Sequence, residues 1–89
     1  MKHRYLEVTF RRGRPLAAYL YLPRAAHVKS ARTEDAGSGL RVDYDARGTP
    51  IGIEITAPMA VTVAHVNVLL SRLGVSAVEP EDWAPLHAA

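Results

Sequence analysis

The chain has 89 residues, no cysteine and a net charge of +2, with 48% hydrophobic and 22% charged residues. That length supports one small domain and not two. The composition excludes a disulfide framework and a thiolate zinc site, and with no apolar run of about 18 residues it excludes a membrane-spanning helix.

The charge is unevenly spread. Residues 1–32 hold eight of the eleven Lys and Arg and one acid, Glu7, whereas residues 33–89 hold eight acids and three bases. The front is therefore near +7 and the remainder near −5. Either the two parts complement each other within one fold or dimer, or the basic part meets an anionic partner. A core this small also gains from a second copy or a partner that buries more surface. The opening residues, Met1 to Glu7, lack the apolar core of a secretory leader, so a cytoplasmic setting is expected.

Residues 4–10 alternate, with Leu6, Val8 and Phe10 on one face and Tyr5, Glu7 and Thr9 on the other, the pattern of a half-buried strand. Arg12-Gly13-Arg14 reads as a three-residue turn into a return strand over 16–22. Leu16, Ala18, Leu20 and Leu22 then share its inner face, and Tyr19 and Tyr21 its outer face. This register sets Phe10 opposite Leu16, Val8 opposite Ala18, Leu6 opposite Leu20 and Tyr5 opposite Tyr21. Pro23 ends the strand. A third strand is expected over 26–33 and a loop over 34–39, Glu-Asp-Ala-Gly-Ser-Gly.

A second hairpin begins at Leu40. Asp45-Ala46-Arg47-Gly48 suits a type I turn, and a loop at 46–49 pairs Tyr44 with Ile51, Val42 with Ile53 and Leu40 with Ile55. Arg41 then faces Glu54 on the outer side. Thr62 caps a helix running to about Leu73, with Gly74 as its stop. Val63, Val66, Leu69, Leu70 and Leu73 form its apolar stripe, and Val68 lies opposite with Ala64, Ser71 and Arg72. In the tail, Pro80 suits the start of a short helical turn, and Trp83 and Leu86 are expected to dock on the body.

Val42-Asp43-Tyr44-Asp45-x-x-Gly48-x-x-x-Gly52-Ile53-Glu54-Ile55 resembles the signature of the small prokaryotic domain-of-unknown-function family twenty-two eighty-three. Ala18-Tyr19-Leu20-Tyr21-Leu22 is similar to the family's second strand, and the likeness spans most of 4–56. The helix after Val61 and the Glu81-Asp82-Trp83-Ala84-Pro85-Leu86 ending resemble an extension in some relatives. The resemblance implies a compact antiparallel sheet with no established enzyme activity, and a role beside small toxin-like proteins encoded nearby. The chain departs from the family at the first turn, where acids and an Asp-Ala pair give way to Arg11, Arg12, Gly13, Arg14, Pro15, Leu16 and Ala17.

Asp43 and Glu54 would be the pair for acid–base work, but the register puts them on a diagonal and nothing builds an apolar pocket around either. His3, His27, His65 and His87 lack metal-ligand spacing, and Gly37-Ser38-Gly39 lacks the lysine of a phosphate loop. No enzyme, metal or cofactor is expected. The candidate contact residues are Arg11, Arg12, Arg14, Tyr19 and Tyr21, with Lys29 close by. Arginines beside tyrosines can hold phosphates and stack bases, so a nucleic-acid-binding module is one reading. The other, preferred, has the tyrosines pairing across strands and packing against a second subunit or a small protein partner. The expectation is a single α+β domain over 1–89: an antiparallel sheet of four or five strands from two hairpins over 4–56, one face covered by a helix within 60–74, and a docking tail over 78–89. Its function is that of a non-enzymatic interaction protein, a homodimer, accessory or antitoxin-like.

Overall fold

The computed structural model describes residues 5–23 and 28–87, and of Tyr5, Pro80 and residues 85–87 the backbone alone. The expectations for His3, His27 and residues 26–27, and for the side chains of Tyr5, Leu86 and His87, lie outside the described residues. Five strands, β1 (Tyr5–Arg11), β2 (Arg14–Tyr21), β3 (Arg32–Gly37), β4 (Leu40–Tyr44) and β5 (Pro50–Ile55), form one antiparallel sheet in the order β1-β2-β5-β4-β3. Two helices follow, α1 (Val63–Arg72) and α2 (Pro80–His87). The fold is the expected α+β sheet with a helix on one face.

The second hairpin supplies the middle of the sheet because its isoleucines suit a strand flanked on both sides. Leu20 of β2 pairs directly with Ile53 of β5, which pairs with Val42 of β4, and Leu6 of β1 pairs with Leu20. This row is buried beneath the helices with Leu40, Ile55 and Ala18. Ile51 is also buried but lies apart from that cluster. At about 0.8 kcal/mol per buried methylene, this aliphatic layer is the main source of stability.

Helix α1 follows its sequence signals closely. Thr62 Oγ1 accepts from the His65 amide at 3.2 Å, and the Thr62 amide donates back to His65 Nδ1 at 3.3 Å. Histidine thus takes the place usually held by Glu or Gln in a capping box. Val61 and Val66 flank the cap, both buried in the core. At the other end the amide of Val75 donates to the Leu70 carbonyl at 2.9 Å and that of Gly74 to Ser71 at 3.1 Å, a Schellman closure. Val66, Leu69 and Leu70 are buried, Val63 and Leu73 pack against them, and Val68 is exposed, as the stripe predicts. Asn67 Oδ1 accepts from the Val78 amide at 2.7 Å, tying the connection to α2. The tail is a helix that lies against β1, with Trp83 buried.

Three expectations are corrected. β3 runs over Arg32–Gly37, so 34–37 are strand rather than loop, and 28–31 are irregular. Pairing with β4 overrides the loop-like composition, and that composition suits an edge. Arg32 and Glu34 stand opposite Tyr44 and Val42, with the Arg32 guanidinium 4.4 Å from the Tyr44 ring centre and 2.8 Å from Glu34. Charges on the inner side of an edge strand discourage further pairing.

The first turn has two residues, Arg12 and Gly13, both at positive φ (53° and 77°), as the primed turns of tight hairpins require. Phe10 pairs with Pro15 and Thr9 with Ala17, leaving Leu16 as the extra residue of a bulge. Leu16 is therefore not on the inner face; it is 53% exposed. The bulge restores the expected pairs Val8–Ala18 and Leu6–Leu20 beyond it. In the second hairpin Tyr44 pairs with Pro50, not Ile51, which is the extra residue there. The Asp45 turn forms as expected: its carboxylate accepts from the amides of Arg47 and Thr49, each at 2.9 Å, and the Gly48 amide closes on the Asp45 carbonyl at 3.0 Å.

Candidate interaction surfaces

The sheet face away from the helices carries two rows that cross all five strands. One runs Asp35, Arg41, Glu54, Tyr19, Glu7, and the other Thr33, Asp43, Gly52, Tyr21, Tyr5. Arg41 lies between two carboxylates, Glu54 as the sequence pairing expects and Asp35 from the strand that replaces the expected loop.

Tyr19 ties the rows together. Its hydroxyl donates to Asp43 Oδ2 at 2.7 Å, although β5 stands between β2 and β4. The ring reaches across because the intervening position is Gly52, where a Cβ would overlap the Tyr19 ring and hydroxyl. A glycine in a central strand sacrifices packing and order, and here it makes room for an aromatic ring. Thr33 donates its hydroxyl to the other oxygen of Asp43. Tyr21 meets the Tyr19 ring edge-on, with centroids 4.7 Å apart and planes at 65°, and its hydroxyl reaches Glu7 at 3.4 Å. The roles of Gly52 and Thr33 escaped the sequence reading, although a glycine amid isoleucines and opposite Asp43 was the available signal.

The remaining candidates lie elsewhere. β2 pairs with β5 only over Ala18–Tyr21, so the β1–β2 hairpin extends past the body of the sheet as a two-stranded ribbon. Arg11 and Arg14 face each other directly across it, and Arg12 occupies its turn. Like charges directly opposite are destabilising, and a non-glycine residue in the left-handed region costs about 1 kcal/mol. Phe10, 44% exposed, and Leu16 flank the arginines, and an open depression of about 500 Å³ lies among Arg11, Arg12, Arg14, Pro15 and Leu16. The five expected contact residues thus divide in two: three arginines at the tip, and two tyrosines among carboxylates on the sheet. Lys29 lines a different, open depression with Asp45 and Arg47.

Asp43 and Glu54 are diagonal, as expected, and both oxygens of Asp43 accept hydroxyl protons. Among the described residues no group of His, Asp or Glu is arranged to hold a metal ion, and no helix is long and apolar enough to cross a membrane.

The segment that contains Tyr19, Asp43 and Gly52 is the one that matches a family model. Residues 17–57 match the family described as protein of unknown function DUF2283. The resemblance read from the second hairpin therefore holds over that segment, just under half of the chain. The Arg11–Leu16 tip and both helices lie outside the match, which begins at Ala17, the last residue of the first hairpin's departure from the family pattern. No curated protein and no solved structure matches the chain.

Proposed function

We propose that this protein is a non-enzymatic interaction module of the cytoplasm that pairs with a second copy of itself through the tyrosine face of its sheet. The observation that carries the reading is the Tyr19–Gly52–Asp43 arrangement. It holds an aromatic patch rigid on the one sheet face that no helix of the described chain covers, and a sheet with a single covered face has a second to shield. Aromatic side chains already held in place lose little entropy on association and favour interfaces. Charge suits self-pairing: Arg11 and Arg14 end the same face that carries Glu7, Glu54, Asp43 and Asp35, so a twofold arrangement sets the basic end of each copy over the acids of the other. Asp43, with both oxygens occupied, serves the framework rather than acid–base chemistry.

An antitoxin-like role beside a small protein partner rests on the family resemblance. The test is sedimentation equilibrium of the full chain and of Tyr21→Glu. A dimer is expected for the former and a folded monomer for the variant, with unchanged circular dichroism. A parent chain that stays monomeric at about millimolar concentration, the weak limit of specific association, overturns the reading.

A further inference from the structure

The hairpin tip breaks three local rules at once. It sets Arg11 directly against Arg14, places Arg12 at φ 53° in the turn, and leaves Phe10 and Leu16 exposed beside them. None of these helps the fold. No carboxylate lies between Phe10 and Ala17 to neutralise the three guanidiniums, and the ribbon stands clear of β5. A sequence that keeps such features against stability marks a place where charge is used.

We propose that the β1–β2 ribbon is a duplex-DNA-binding arm that enters the major groove and holds phosphates with Arg11, Arg12 and Arg14. A B-form major groove about 12 Å wide admits a two-stranded β-ribbon, whereas that of an RNA duplex is too deep and narrow. Single strands are a poorer fit. Their bases need free aromatic faces, and the Tyr19 ring is packed across Gly52 and held by Asp43 among carboxylates that repel phosphate. The apolar Phe10 and Leu16 are placed to touch base edges or sugars as the tip goes in. The arm takes neither tyrosine of the pairing face, but Arg11 and Arg14 serve both readings, so duplex binding by the Tyr21→Glu variant separates the two.

Three neutralised phosphates predict a slope of about −2.7 in log affinity against log salt, so that binding weakens about 40-fold between about 50 and 200 mM salt. The experiment is fluorescence anisotropy with a duplex of about 20 base pairs, the same sequence as RNA duplex and as single strands, and polyglutamate as competitor, using the full chain. The expected order is DNA duplex first, with no effect of polyglutamate at equal charge. Arg12→Glu with Arg14→Glu abolishes binding. Arg12→Gln with Arg14→Gln, a milder pair that keeps the turn neutral, lowers the slope by about two. No binding to DNA duplex at about 100 µM protein, tighter binding to single strands or RNA duplex, equal competition by polyglutamate, or a slope unchanged in the glutamine pair each overturns the proposal.

Discussion

The middle of the sheet and the tip of the first hairpin treat local sequence rules in opposite ways. In the middle an unfavourable residue, Gly52, is compensated. The space it leaves is filled by Tyr19, whose hydroxyl gains a charge-assisted hydrogen bond to Asp43. At the tip the unfavourable features, an arginine in a left-handed turn and a like-charge pair across the strands, have no such compensation in the fold. A broken rule that neighbours repair is a packing device. One left unrepaired on a projecting ribbon belongs to whatever the protein meets.

This contrast predicts opposite signs for mutations in the two regions. Gly52→Ala is expected to have the largest effect, a loss of about 2–3 kcal/mol in denaturant unfolding, because the new methyl forces Tyr19 off its site. In a Tyr19→Ala background the same change should be neutral or stabilising, since alanine costs less backbone entropy than glycine and nothing remains to collide with. Additive effects in that double-mutant cycle would mean that the ring does not depend on Gly52. Next, Arg12→Asn should stabilise by about 0.5–1 kcal/mol, because Asn-Gly is a favoured pair for a two-residue turn of this hand. A drop in melting temperature would show that Arg12 is held by the fold after all. The smallest expected effect is Arg14→Thr, a gain of about 0.2–0.5 kcal/mol from relieving the Arg11 pair, diminishing as salt screens the repulsion. A gain that persists at about 1 M salt, where screening is nearly complete, would assign it to strand propensity rather than charge.

The first strand, the inner row of the second hairpin, the Asp45 turn, and the cap, stripe and stop of α1 were legible because each is a local pattern of spacing and turn chemistry. Tyr5 opposite Tyr21 and Arg41 opposite Glu54 followed from the same alternation. The expectations for Leu16 and Ile51 fail for one cause, and that for 34–37 because pairing with β4 overrides composition. Leu16 and Ile51 are extra residues in bulges, and a third, Ala36, interrupts β3. A bulge re-phases alternation after a single residue, and nothing in the composition near Leu16 announces one. At the candidate surfaces the alternation and charge pick out Arg11, Arg12, Arg14, Tyr19 and Tyr21 as candidates. Their separation into a tip and a face is not legible there, because how far the ribbon extends beyond β5 depends on which strands pair.

What the chain's own order of residues determined is therefore the local grammar of β1, the Leu40–Val42 and Ile53–Ile55 rows, the Asp45 turn and α1 with its cap and stop. Those features follow from interactions within a few residues. What tertiary structure alone decided is the placement of β5 between β2 and β4 and of Tyr19 over Gly52 to meet Asp43, partners 24 residues apart in sequence. Contacts of that span form only when the folded sheet brings distant segments side by side, and their energy depends on space that a neighbour must leave empty.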